Sequence, residues 1–154
     1  MTNAIINITN LRLRTYIGFN PEEQEKQQDV VVNAEIHYPA SRLCFDDHIE
    51  GALNYKDITK RMIRHIEEGR FLLLEKLVAD ILDICSEHEW VTFAKVKIDK
   101  PHALRFADSV SITLIHDKLA EAAQNNHKQS QANSALANDA HSKTNTEPTK
   151  QTAA

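Results

Sequence analysis

The hydrophobic period of this chain changes twice along its length, and that pattern limits the folds open to it more than any other feature. Leu11, Leu13, Thr15 and Ile17 alternate with Arg12, Arg14 and Tyr16 until Gly18 and Pro21 interrupt them. Val30, Val32, Ala34 and Ile36 alternate in turn with Asn33, Glu35 and His37. A period of two with one polar face is that of half-buried strands. From Asn54 the spacing becomes helical, with Asn54 as N-cap, Asp57 in the first turn, Ile58, Met62 and Ile66 inward and Gly69 just past the end. A second helical stripe, Leu74, Leu77, Val78, Ile81 and Cys85, runs to about His88. The period then returns to two in Ala94, Val96 and Ile98 and again in Val110, Ile112 and Leu114.

The order strand, strand, helix, helix, strand, strand predicts an α+β domain, an antiparallel four-stranded sheet with two helices on one face. The first two strands are expected as a hairpin across an acidic, Gln-rich connection. Such a sheet has two unpaired edges, which invite copies of the chain to join edge to edge.

Of 154 residues, those at 1–118 have the apolar content for one core. The stretch 119–154 is rich in Ala, Gln, Asn, Ser, Thr and Lys, has no aromatic residue, and is expected as a disordered polar tail, with at most a short helix near Lys118 to Gln124. Its acids Glu121, Asp139 and Glu147 balance its bases Lys128, Lys143 and Lys150, so the net charge of −4 belongs to the folded part. An acidic domain without a basic stripe is a poor nucleic-acid binder, and an anionic ligand must be held by a local cluster of bases. No stretch is long and apolar enough to span a bilayer and no leader is visible, so the expected compartment is the cytoplasm. Cys44 and Cys85 lie far apart and read as reduced core residues, and the histidines do not cluster at ligand spacing, so no metal is expected.

Four polar residues fall at element ends, where a rigid scaffold presents functional groups: Glu23 after the first strand, Tyr55 and Glu75 at the two helix starts, and Lys100 at the end of the third strand. Singly, each has an ordinary structural role. Glu23 is one acid of a solvated loop, Tyr55 a helix-start aromatic, Glu75 a carboxylate favoured near a helix N-terminus, and Lys100 a lysine facing water.

Together they stand in recognisable contexts: Asn10 to Gly18 followed by Glu23 and Gln28, Leu53-Asn-Tyr55, Leu72-Leu-Leu-Glu75-Lys-Leu77, and Val96-Lys-Ile-Asp-Lys100-Pro101. Over about Ile5 to Ile115 the chain resembles the dihydroneopterin aldolase and epimerase family. It is more similar to the epimerase branch, through Gln28-Asp29 leading into Ile36-His-Tyr-Pro-Ala40 and through His102-Ala-Leu-Arg105 where aldolases are usually rich in glycine and proline.

The resemblance implies the tunnelling fold, in which four subunits close their sheets into a barrel and two rings stack into an octamer with sites between neighbours. It implies a small-molecule pterin as substrate and no cofactor. The expected reaction is epimerisation at C2' of dihydroneopterin triphosphate, by retro-aldol cleavage and rejoining of the C1'–C2' bond, with the substrate's own N5=C6 imine as electron sink. A dihydroneopterin aldolase and a non-catalytic pterin-binding barrel remain the alternatives. In this scheme Lys100 belongs to a proton relay, which requires its partial burial, and Glu23 orients the side-chain hydroxyls. Glu75 accepts the two parallel donors of the pterin ring, the backbone N–H groups of Leu73 and Leu74 meet the ring's acceptors, and Tyr55 reaches in from the neighbouring subunit. By placement, the bases for the phosphates are His102 and Arg105, with Arg70 and Arg14 beside them. The last two have ordinary roles as well, as a charge near a helix C-terminus and as a solvated strand face.

Overall fold

A computed structural model of the chain describes residues 2–141 and 152–153 and divides it into two units, 1–117 and 118–154. In the first, β1 (Thr2–Ile17), a short helix α1 (Pro21–Glu25) and β2 (Gln28–Ala40) come first. A turn of helix α2 (Arg42–Phe45) and a 3-10 turn (Ile49–Gly51) then lead to α3 (Tyr55–Glu68), β3 (Arg70–Phe71), α4 (Leu74–Ser86), β4 (Phe93–Lys100) and β5 (Val110–Asp117). The sheet has the order β3-β1-β2-β4-β5. The expected hairpin is present, since β1 pairs antiparallel with β2 from Thr2↔Ala40 to Thr15↔Gln28.

The sheet departs from the expected four antiparallel strands in being five-stranded and mixed, because β3 pairs in parallel with the end of β1, Tyr16↔Arg70 and Ile17↔Phe71. Two residues are too few to show a period, so this strand is invisible to alternation. It is also the strand that brings the start of α4 beside the end of β1. The register of β1 against β2 slips between Ile8 and Leu11, where Asn10 adopts φ 52° and its N–H donates to Asn33 Oδ1 at 2.9 Å. Asparagine tolerates that left-handed conformation, and the bulge helps the sheet curl.

One face of the sheet is apolar because the period of two puts Val30, Val32, Ala34 and Ile36 of β2 beside Ala94, Val96 and Ile98 of β4, all buried. Against them lie Ile58, Met62 and Ile66 of α3 and Leu77, Val78, Ile81 and Cys85 of α4, the stripes that the helical spacing predicts. Full burial of each larger aliphatic side chain contributes about 1.5–3 kcal/mol. The other face carries Asn33, Glu35, Lys95 and Lys97, with Glu35 opposite Lys95. Asn54 caps α3 by accepting from Asp57 N–H at 3.1 Å, and Gly69 ends it. The buried Thr15 hydroxyl donates to Ile66 O at 2.6 Å, tying β1 to the last turn of α3. Cys85 is buried, whereas Cys44 is only partly buried and donates to Gly51 O at 2.7 Å.

In the second unit, Lys118–His141 form one helix, α5, where the sequence suggests a tail with at most a short helical start. Ala, Gln, Lys, Leu and Glu favour helix even where nothing apolar recurs, which is why a stripe-based reading passes over it. Its residues 118–137 are exposed. Met1, 142–151 and 154, the last ten or so of which belong to the expected tail, lie outside the described residues. Among the described residues no helix is long and apolar enough to cross a membrane.

Candidate active site

Gly18, at the end of β1, turns the chain with φ +128°, a conformation that side chains rarely adopt, while its N–H donates to Phe71 O at 2.9 Å. The space where a Cβ would stand is taken by the Glu23 carboxyl, whose Cδ would lie 2.2 Å away. Pro21 starts α1, and this short helix folds Glu23 back over Gly18. From the first residue of β2, Gln28 Nε2 donates to Glu23 Oε2 at 2.8 Å and to Ile17 O at 2.7 Å, clamping the carboxylate to the strand end. From the last residue of β4, Lys100 Nζ reaches the same Oε2 at 2.7 Å. The Glu23 and Lys100 side chains are only 22% and 12% exposed.

The hydrogen bond from Lys100 holds the Glu23 carboxyl below its ordinary value of 4.5. Burial opposes that effect, and Gln28, the lysine charge and the Asn20 backbone add to it. The site therefore presents an ionised acceptor and an ammonium donor in contact, half screened from water. Such a pair can accept from one substrate hydroxyl, donate to a neighbouring nitrogen or oxygen, and pass a proton between them.

Leu72 and Leu73 follow β3 with exposed side chains. Leu73 is the N-cap of α4 without a side-chain cap, so the first-turn N–H groups have no side-chain partner there. Glu75 lies in that first turn, exposed, where a carboxylate is favoured. The parallel pairing of β3 places this helix start next to the strand end that carries Gly18 and, through it, Glu23. Asp80, midway along α4, ties that helix to α3 by accepting from His65 at 2.9 Å, and it also accepts from Lys76 at 2.6 Å.

Tyr16, Gly18, Glu23, Gln24, Arg70, Phe71 and Leu72 line a cleft of about 120 Å³. A larger cavity of about 1060 Å³ opens on the helix side and shares Arg70, Phe71 and Leu72 with it, but includes neither Glu23 nor Lys100. The Glu23 carboxyl lines the smaller cleft, and the larger cavity is an open depression over the helices.

The remaining candidates lie elsewhere in the protomer. Tyr55 is exposed at the start of α3. Contacts of His65 with Asp80 and of Arg61 with Glu87 show that α3 and α4 run antiparallel, so Tyr55 is at the opposite end of the helix pair from Glu75. His102 is exposed, with Nε2 3.7 Å from Asp29, and Asp29 also takes Arg14 Nε at 3.2 Å. Arg105 stands in the β4–β5 loop with its guanidinium 5.5 Å from the ring centroid of the fully exposed Phe106. Among the described residues no three His, Cys, Asp or Glu side chains converge as metal ligands would. Reasoning from sequence missed two contributors. Gln28 figured only as part of a motif, and the seat that Gly18 provides for the Glu23 carboxylate had only the glycine itself as a signal.

A family model described as dihydroneopterin aldolase matches residues 6–115. A dihydroneopterin triphosphate 2'-epimerase of Escherichia coli K12 is 59% identical over 111 residues, which cover 72% of this chain and 92% of that protein. A dihydroneopterin triphosphate 2'-epimerase of Pseudomonas aeruginosa is 54% identical over 111 residues, 72% of this chain and 90% of the relative. Among solved structures, E. coli dihydroneopterin aldolase in complex with neopterin superposes with a TM-score of 0.69 at 25% identity, covering 73% of this chain and 98% of that one.

Proposed function

The chain belongs to the dihydroneopterin aldolase family, and from that premise we propose that it is an isomerase converting 7,8-dihydroneopterin triphosphate to 7,8-dihydromonapterin triphosphate by inversion at C2'. The observation that carries the reading is the Glu23–Lys100 pair, an ionised acceptor on α1 and a donor at the end of β4, 2.7 Å apart. Identity of 59% and 54% to two epimerases, against 25% to a solved aldolase, favours inversion over cleavage as the main outcome.

In this mechanism the Glu75 carboxylate accepts from the 2-amino group and N3–H of the pterin, and the backbone N–H groups of Leu73 and Leu74 donate to its acceptors. Glu23 accepts from the 2' hydroxyl, and from the 3' hydroxyl when that is not esterified. The 2' hydroxyl loses its proton as the C1'–C2' bond breaks. The bonding pair moves into C1'=C6 while N5 gains a proton, leaving an enamine and an aldehyde. Lys100, with water, relays the proton from the hydroxyl to N5. The aldehyde turns its other face to C1', the bond re-forms, and the proton returns to the oxygen on C2'. If the aldehyde leaves and C1' is protonated instead, the same site performs the aldolase reaction.

Tyr55 covers the ring from a neighbouring subunit, which accounts for its exposure at the far end of the helix pair in a single protomer. That arrangement joins copies sheet to sheet into a tetrameric ring, two rings making an octamer. His102 and Arg105, on the β4–β5 loop, take outer phosphates. Residues 1–118 carry the whole activity, and 119–154 are dispensable for it. Chiral analysis of products from phosphorylated and free dihydroneopterin tests the reading. Dihydromonapterin triphosphate as the main product supports it, cleaved aldehyde as the main product moves the assignment to an aldolase, and tight pterin binding without turnover to a binding barrel.

A further inference from the structure

The Glu23–Lys100 end of the site has no net charge to offer a polyphosphate. Lys100 is spent on Glu23 at 2.7 Å, Glu75 adds a negative charge nearby in the fold, and the chain as a whole carries −4. A substrate with a charged phosphate chain needs a cation that is fixed in place, faces the same cleft and is not already neutralised. Arg14 does not meet this condition, since its guanidinium pairs with Asp29 at 3.2 Å, and His102 approaches the same carboxylate at 3.7 Å. Arg105 is set against an exposed ring in an exposed loop.

Arg70 meets it. The parallel pairing of β3 with β1 puts Arg70 beside Tyr16, and its guanidinium carbon lies 3.8 Å above the centroid of the Tyr16 ring. Nη1 donates to Gln24 O at 3.1 Å, the residue after Glu23. A ring below and a carbonyl at one side fix the planar group, and among the described residues no carboxylate pairs with it. The remaining N–H groups form the fork that matches a phosphate oxygen pair. Arg70 lines the same small cleft as Glu23 and also borders the larger helix-side cavity.

We propose that Arg70, held over Tyr16, binds the phosphate nearest C3' and thereby makes the enzyme select the phosphorylated substrate. This rests on the epimerase reading for the identity of the substrate, but not for the binding of a polyphosphate.

The test compares wild type with Arg70→Gln and Arg70→Lys on dihydroneopterin triphosphate and on free dihydroneopterin, with calorimetric titration of inorganic tripolyphosphate as a readout independent of chemistry. Arg64→Gln, which removes a cation of the larger cavity that is outside the Glu23 cleft, controls for the general field. Arg70→Gln should lower kcat/KM for the triphosphate about 10- to 100-fold, the loss of one charge-assisted contact, and change it little for the free pterin. Arg70→Lys should restore part of the loss. Tripolyphosphate should bind wild type and Arg64→Gln alike and Arg70→Gln weakly. Equal losses on both substrates, an equal effect of Arg64→Gln, or tripolyphosphate binding that ignores Arg70 would each overturn the proposal. If wild type inverts no pterin, the epimerase reading fails, and the tripolyphosphate titration alone still decides for or against Arg70.

Discussion

Lys100 Nζ and Glu23 Oε2 meet at 2.7 Å although 77 positions separate the two residues in the chain. The contact joins the last residue of β4 to the helical turn after β1, and Gln28 at the first residue of β2 completes it. Two strand ends therefore converge on one carboxylate oxygen.

Lys100→Ala should reduce turnover of the dihydropterin by about 10²- to 10⁴-fold, the usual worth of a positioned proton-transfer group, while pterin binding stays largely intact. Single-turnover rates and equilibrium binding, measured side by side, check this. A fall in affinity that matches the fall in rate would assign Lys100 to binding rather than to proton transfer.

Gly18→Ala should damage the site and the fold together. Its φ of +128° costs an L residue about 1–3 kcal/mol, and the added methyl would displace the Glu23 carboxyl, which occupies that space. Urea unfolding should show the loss of stability, and activity should fall further than stability alone explains. Wild-type activity in Gly18→Ala would mean that the seat under Glu23 does not matter.

Glu23 also sets an acid dependence. Its folded-state value is depressed, chiefly by the Lys100 hydrogen bond, so the pair stabilises the fold above 4.5 and the contribution is lost as pH falls through the lower folded value. Glu23→Gln should be less stable than wild type at neutral pH, and the gap should close well below 4.5. Asp80 is also held below its ordinary value, since burial, which raises it, is outweighed by hydrogen bonds from Lys76 and His65, but it is present in both proteins and cancels. A gap that persists unchanged in acid would contradict the assignment.

Much of the fold is legible in the sequence because burial on one face imposes a period on the residues that supply it. Val30 to Ile36, Ile58 to Ile66 and Ala94 to Ile98 announce their elements that way, and Asn54 and Gly69 mark the ends of α3. Thr2 to Thr9 extend β1 with strand-favouring Ile5, Ile6 and Ile8 but without clean alternation, so the period alone does not mark them and their pairing with β2 does. β3 has only two residues, and α5 has helix formers but no stripe. Of the site, the residue types at element ends and their family contexts were visible. Their meeting was not, because the contact of Lys100 with Glu23 and the stacking of Arg70 on Tyr16 depend on strand order and register. Tyr55 shows the converse, a residue prominent in the sequence that a single protomer leaves apart from the rest.

Glu75→Gln keeps the shape of the side chain but turns one acceptor toward the pterin into a donor. Affinity for the dihydropterin should fall by about 2–5 kcal/mol, the range for losing a charged partner that the bound ring covers. Calorimetry reads this directly, and an unchanged dissociation constant would remove Glu75 as the anchor.

The most direct test of the central claim, inversion at C2' by breaking and rejoining the C1'–C2' bond, is the deuterium content of the product formed from dihydroneopterin triphosphate in D2O. Cleavage leaves the hydrogen of C2' on the aldehyde carbon and that of C1' on the enamine carbon, so rejoining restores both. Proton NMR of the isolated product should therefore show dihydromonapterin triphosphate with undiminished signals at C1' and C2'. Deuterium at C2' would show inversion by proton removal from carbon, and a product dominated by hydroxymethyl pterin deuterated at C1' would show an aldolase; either result contradicts the account.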